Sequence, residues 1–301
     1  MRLCSFPTDD GLHAGAVLDD DLVADLTELA GAHSGNLPRT LLDWIGLGDE
    51  AVERLTDLCA SAGRSHIVRS LADLQLTEPL GRLPRNVICV GANYREHIEE
   101  SEEAVGPLDL PDEPVWFTKD VRSICGPYDD IATSDKATGQ LDWEVELAVV
   151  IGRAGRNIDP SEALGHVFGY AVLNDVSARD VQLGRKQWWK GKSLELSSPF
   201  GPYIVTRDEV PDPQNLELCC WVDGVERQHS NTKLMIHDIA ALISDLSRTL
   251  TLEPGDVIST GTPAGVGLGS TPPQWLRPGT VLESEITGLG RQRNRIVPEV
   301  E

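Results

Sequence analysis

The chain has 301 residues, 40% hydrophobic and 25% charged, the balance of a globular protein with a sizeable core. It contains no run of about 18 apolar residues, so no membrane span is expected. A net charge of −22 argues against nucleic acid and anionic membrane surfaces as partners, and it requires any anionic substrate to find a locally basic site.

In chain order, Arg2–Phe6 and Ala14–Leu18 read as strands, with a turn at Asp19–Asp21. Leu41–Ile45 and Ala51–Ala62 have helical spacing, so residues 1–80 read as a small α/β domain. The N-terminus lacks a basic stretch followed by an apolar one, and no secretory signal is expected. Thr77–Arg85, with two prolines and a glycine, reads as a linker. Residues 81–301 then carry short β-type runs at Val87–Val90, Leu147–Ile151, Val167–Leu173, Pro202–Val205, Leu216–Val222, Asp256–Thr260 and Val281–Ile286. An amphipathic helix is expected over Leu234–Leu246. Many short strands with few long helices predict a mixed, β-rich body, a sandwich or barrel-like roll. The six cysteines (Cys4, Cys59, Cys89, Cys125, Cys219, Cys220) show no zinc or C-x-x-C spacing. They read as small buried hydrophobes in a reducing cytoplasm, with Cys219 and Cys220 on opposite faces of one strand.

Leu141–Gly152 (LDWEVELAVVIG) alternates and is rich in Val and Ile, the pattern of a strand. Leu141, Trp143, Val145, Leu147 and Val149 would share a core face, and Asp142, Glu144, Glu146, Ala148 and Val150 the other. Two carboxylates about 6–7 Å apart on a half-apolar face repel one another and lose hydration, which a divalent cation relieves. The segment alone leaves open a metal site or a solvated strand face. Asp175, after the run ending at Leu173, is either a third ligand or the cap of a helix starting at Val176. In Asn93–Ala104 (NYREHIEESEEA), Glu100 is the acid spaced to meet His97 on a helix. A carboxylate on one ring nitrogen suits a general base, and the charged segment could form a lid; an exposed acidic helix with an incidental histidine is the other reading. Arg179–Lys192 (RDVQLGRKQWWKGK) is the dense basic stretch, either an anion site or a solvated face. Within it, Arg179 can clasp a carboxylate, Lys192 can stabilise an enolate or lie on the surface, and Trp188 and Trp189 can wall a pocket or simply pack. Thr262 offers a hydroxyl. Gly191-Lys192-Ser193 is not a Walker loop, because residue 186, where the first glycine belongs, is lysine. Gly261–Gly269 (GTPAGVGLG) lacks the phosphate-loop order, and its glycines read as tight turns beside a pocket.

The set Val90–Glu100, Leu141–Gly152, Gly169–Gln182, Gly191–Pro202, Pro254–Gly267 and Gly288–Asn294 resembles the fumarylacetoacetate hydrolase family. The matching branch holds acylpyruvate hydrolases, oxaloacetate decarboxylases and 2-hydroxyhepta-2,4-dienedioate isomerases. The resemblance covers roughly residues 86 to 297. It implies the family's β-sandwich roll, a homodimer, and a catalytic domain over 81–301 behind a variable N-terminal domain. It implies Glu144, Glu146 and Asp175 as ligands of Mg²⁺ or Mn²⁺, and His97 with Glu100 as a lid dyad activating water. Arg179, Gln182, Lys192 and Thr262 are implied as substrate-binding and enolate-stabilising groups. One departure is Cys89-Val90-Gly91-Ala92, where the fumarylacetoacetase branch has a further aspartate; a water takes that position on this reading. The expected activity is metal-dependent hydrolysis of a C–C bond in a small anionic 2,4-diketo acid. Oxaloacetate decarboxylation and 2-oxo-acid dienol isomerisation or tautomerisation are the alternatives, and a non-catalytic small-acid binder is the alternative of another class.

Overall fold

The computed structural model describes residues 1–19, 22–32, 37–61 and 68–299. Two residues of the expected turn at Asp19–Asp21, and the last residue of the expected helix Ala51–Ala62, therefore lie outside the described residues.

Ten strands form one sheet in the order Val68–Ser70, Leu22–Asp25, Gly11–Val17, Arg2–Thr8, Ile204–Thr206, Val167–Asn174, Val145–Ile151, Val257–Ser259, Val87–Gly91, Val115–Lys119. Five form a second sheet in the order Val225–Asn231, Glu217–Val222, Val281–Ile286, Gly290–Pro298, Ile131–Thr133. Val257–Ser259 runs parallel to Val87–Gly91, as Gly290–Pro298 does to Ile131–Thr133; the other neighbours in the two sheets are antiparallel. The N-terminal strands extend the large sheet through the pairing of Arg2–Thr8 with Ile204–Thr206.

The central strand Val145–Ile151 is rich in β-branched residues and buried on both faces. Val145, Leu147, Val149 and Ile151 pack with Leu218, Cys220, Leu282 and Ile286 of the second sheet. Ala148 and Val150 face the opposite core, with Leu3, Leu26, Trp44 and Leu55 from the N-terminal strand and helices. The two-face reading of this segment is thus correct in its partition, but the second face is no solvated surface.

Several element boundaries differ from the sequence reading, and three of the differences have a clear local cause. The strand expected over 141–152 is interrupted at Trp143 and Glu144, whose N–H groups donate to the side chains of Asp142 and Asn174. The helix expected from Leu234 starts at Ile239, where the Asp238 side chain accepts from Ala241 N–H; Leu234 and Ile236 stay exposed. The helix expected from Val176 starts at Arg179, because Ser177–Ala178 first pair with Leu141–Asp142. The six cysteines are free thiols, with Cys220 buried and its neighbour Cys219 partly exposed.

Candidate active site and metal centre

Val145 pairs with Asn174 across the two central strands, and Asp175 N–H donates to the Glu144 carbonyl at 2.8 Å. This register places Glu144, Glu146 and Asp175 together, their ligand oxygens within 4.8 Å of one another and all three residues buried. Asp175 caps no helix. Lys192 Nζ donates to Glu144 Oε2 at 2.6 Å and to Asp175 Oδ2 at 2.9 Å. Arg179 Nη1 lies 2.6 Å from Glu144 Oε1, and Lys119 Nζ 2.6 Å from Asp175 Oδ1. Lys119 also donates to the carbonyls of Val176 and Lys192.

Glu146 is different. Among the described residues it has no ion-pair partner, and it accepts from the Ser259 hydroxyl at 2.5 Å and Gly261 N–H at 2.9 Å. Burial, then the charges of Asp175 and Glu144, push its carboxyl up to about 8. Burial acts on Glu144 in the same direction, but Lys192 and Arg179 outweigh it and hold that carboxyl well below the usual range. A buried carboxylate without a cation, one of three converging oxygen donors, fits a hard divalent ion such as Mg²⁺ or Mn²⁺.

Arg179 is held by three partners. Its Nε donates to Asp142 at 2.8 Å, and its Nη1 reaches Gln182 Oε1 at 3.0 Å as well as Glu144. Its buried Nη2 has no hydrogen-bond partner among the described residues. Gly191 allows the short helix Trp189–Lys192 to pack on Arg179–Leu183, since a Cβ there would lie 2.5 Å from Gln182 N. Of the expected basic stretch, Arg179 and Lys192 turn inward, whereas Arg185, Lys186 and Lys190 are exposed. Trp188 lies on Gly91 and edge-on to Phe117, walling the cavity; Trp189 is exposed. The Thr262 hydroxyl also lines the cavity, but it donates to the Val145 carbonyl and accepts from Gln228, so its proton is not available to a ligand carboxylate.

The helix Arg95–Val105 brings His97 Nδ1 to 2.9 Å from Glu100 Oε1. Glu100 in turn accepts from the N–H groups of Gly265 and Val266. The same glycine-rich loop holds Glu146 through Gly261 N–H and Asp142 through the N–H groups of Gly267 and Leu268. Gly261 and Gly265 adopt φ of +92° and +100°, which a side chain disfavours; a Cβ on Gly265 would lie 1.9 Å from the Arg227 carbonyl oxygen. The loop's backbone thus joins the His97–Glu100 pair to the carboxylate centre. Glu144, Glu146, Arg179, Lys192, Thr262 and His97 line one cavity of about 90 Å³, and Val90, Leu110, Phe117 and Trp188 form apolar parts of its wall.

Lys119 and Asp142 were not singled out by the sequence reading. Lys119 ends the run VWFT, 56 residues before Asp175, and a lysine closing an apolar strand is the signal that could have marked it. Asp142 was placed on the acid-bearing face without a role.

The model of the fumarylacetoacetate (FAA) hydrolase C-terminal family matches residues 86–297. The chain belongs to the fumarylacetoacetate hydrolase family. It is 38% identical over 293 residues to oxaloacetate tautomerase YisK of Bacillus subtilis (strain 168), a match covering 95% of this chain and 96% of that protein. Among solved structures it resembles the fumarylacetoacetate hydrolase EaFAH from psychrophilic Exiguobacterium antarcticum (TM-score 0.83, 39% identity, 99% and 100% of the two chains). It also resembles maleylpyruvate hydrolase from Sphingobium sp. SYK-6, solved with manganese(II) and pyruvate (TM-score 0.78, 29% identity, 100% of both chains). The family is one of enzymes, a relative in it was solved with manganese(II), and the buried Glu144–Glu146–Asp175 set has the donor type and spacing to hold a metal ion. No helix among the described residues is long and apolar enough to cross a membrane.

Proposed function

We propose that the chain is a Mg²⁺- or Mn²⁺-dependent enzyme that interconverts the enol and keto forms of a small 2-oxo acid of the oxaloacetate type. The observation that carries this reading is Arg179, whose buried Nη2, unpartnered among the described residues, belongs to a side chain lining the same cavity as Glu144 and Glu146. A 2-oxo acid supplies a carboxylate for Arg179 beside a carbonyl oxygen for a cation. A divalent cation held by Glu144, Glu146 and Asp175 would supply Lewis-acid polarisation of the 2-oxo group. Arg179, braced by Asp142 and Gln182, orients the carboxylate. The Lys192 ammonium stabilises negative charge on the enol oxygen. Glu100 holds the Nδ1 proton of His97, leaving Nε2 to carry a proton to or from carbon 3. The tautomerase activity named for the Bacillus subtilis relative supports this chemistry over the hydrolysis expected from the sequence.

The test follows the ultraviolet absorbance of enol-oxaloacetate with the Mg²⁺-loaded protein. Decay should far exceed that with Mg²⁺ alone, and His97→Ala should slow it about 10²–10⁴-fold. Decay no faster than with free Mg²⁺ refutes the reading.

A second reading, C–C hydrolysis of an acylpyruvate, is favoured by the apolar wall of Val90, Leu110, Phe117 and Trp188, which suits an uncharged distal group. There His97 Nε2 would take a proton from water attacking the distal carbonyl. Acetylpyruvate assayed beside oxaloacetate separates the readings: acetate release marks hydrolysis, and carbon dioxide release from oxaloacetate marks decarboxylation. Oxalate binding with no turnover of any of these would mark a small-acid binder. The proposal also takes residues 1–80 as an accessory domain and 81–301 as the catalytic one, two copies as a homodimer, and the cytoplasm as the site of action. Sedimentation velocity tests the dimer.

A further inference from the structure

Far along the chain from the lid, the hairpin of Glu217–Val222 and Val225–Asn231 carries a second group of metal-binding side chains. Cys219 lies opposite His229 in the strand register, and Glu217 precedes Cys219 by two residues on the same face. One ligand atom from each of Glu217, Cys219 and His229 lies within 4.8 Å of the others. His229 Nε2 is 2.5 Å from Glu217 Oε1, and its Nδ1 is 3.2 Å from Glu226 Oε1. Glu285 stands opposite Cys219 on the other neighbouring strand. Arg291 pairs with Glu283 and Glu285 and lies over the Trp221 ring.

This donor set differs in kind from the one in the cavity. Three carboxylates select a hard ion, whereas a thiolate, an imidazole and a carboxylate select a borderline-soft one. Donor atoms around Zn²⁺ stand roughly 3.3–3.7 Å apart, given bonds of about 2.0–2.3 Å, so side-chain rotation on an exposed surface suffices to form the shell. Glu226 already sits where a zinc-binding histidine commonly has its orienting carboxylate.

We propose that this face binds Zn²⁺, or Co²⁺ in its place, through Cys219 Sγ, His229 Nε2 and a Glu217 oxygen, with Glu226 accepting the Nδ1 proton. Binding releases the Sγ proton, and any proton on Nε2, to solvent. Three protein ligands leave a fourth position for water or an outside group. Because the ligands come from both strands, the ion ties Val225–Asn231, an edge of its sheet, to its neighbour.

The test titrates Co²⁺ into the full chain held in excess Mg²⁺, which keeps the carboxylate triad occupied. A near-ultraviolet thiolate-to-cobalt charge-transfer band should saturate at one ion per chain and vanish when Zn²⁺ displaces Co²⁺. Cys219→Ser should abolish the band, His229→Ala should weaken binding at least about tenfold, and Glu226→Gln about 10–100-fold. All three positions are partly or largely exposed, and circular dichroism confirms that the variants are folded. Absence of the band, or its survival in Cys219→Ser, overturns the site. Unchanged affinity in His229→Ala overturns it too, since chance binding to a thiol would then be sufficient.

Discussion

Asp142 is the perturbation that most directly tests how the site is held. Its carboxylate is fully buried and has four donors. Oδ1 accepts from the N–H groups of Gly267 at 2.6 Å and Trp143 at 2.8 Å. Oδ2 accepts from Arg179 Nε at 2.8 Å and Leu268 N–H at 3.0 Å. Asp142→Asn keeps the shape but offers one acceptor oxygen, so the new NH₂ must face two donors whichever way the amide turns. Two bonds to a charged group are lost, each worth about 1.5–3 kcal/mol, so the total should be about 3–6 kcal/mol. Arg179 keeps Glu144 and is not stranded as an unpaired buried charge. Its fork nevertheless turns, and a misplacement of about 1 Å at a positioning group costs on the order of 10²-fold in rate. Urea unfolding gives the stability change, and steady-state kinetics on enol-oxaloacetate should show KM rising along with the loss of kcat. Wild-type stability together with wild-type KM would refute the assignment of Asp142 as the residue that aims Arg179.

Lys119→Met leaves Asp175 with Lys192 as its one cation and should cost about 3–5 kcal/mol in urea unfolding; an unchanged midpoint would mean the pair contributes nothing. Glu146→Gln retains an acceptor for Ser259 and Gly261 and removes a carboxyl that must take up a proton on folding, so at neutral pH it should raise the melting temperature of metal-free protein. The same variant should lose the stabilisation that wild type gains from Mn²⁺, about 2.7 kcal/mol at a hundredfold excess over Kd; a retained metal shift in scanning fluorimetry would contradict the triad. Chelation should abolish turnover by wild type, and Mg²⁺ or Mn²⁺ should restore it; full activity in excess chelator would exclude a metal-dependent mechanism. Burial pushes the Glu78 carboxyl up to about 7 from an ordinary 4.5. Between those values the native state holds a proton that the unfolded state has released, so stability should fall as pH rises from about 4.5 through 7. Glu78→Gln should remove that part of the slope, and identical pH profiles for variant and wild type would refute it.

The fold and site differ in how far they can be read from the residues. His97 and Glu100 are one helical turn apart, so local geometry alone brings them together. Glu144 and Glu146 share a strand face for the same reason, although the chain leaves the ladder at Trp143 and Glu144. Local spacing misleads where side chains compete with backbone. Asp238, not an earlier residue, caps the helix expected from Leu234, and the Ser177–Ala178 pairing delays the helix expected from Val176. Thr262 was expected to present its hydroxyl to a ligand; Val145 and Gln228 take up that hydrogen bonding, and both reach it only in the folded chain.

The residues themselves determined which groups can share a face, because periods of 2 and 3.6 follow from backbone geometry and hold before any tertiary contact forms. Family membership was equally legible, in the order of six motifs. Folding decided how those groups are charged and partnered. It buried the acid face against a second core, left Glu146 with no ion-pair partner among the described residues, and brought Lys119 to Asp175 from 56 residues away. Desolvation and ion pairing act through space, at distances that spacing along a chain does not encode, so the electrostatic character of this site exists only once the two central strands and the glycine-rich loop have closed around it.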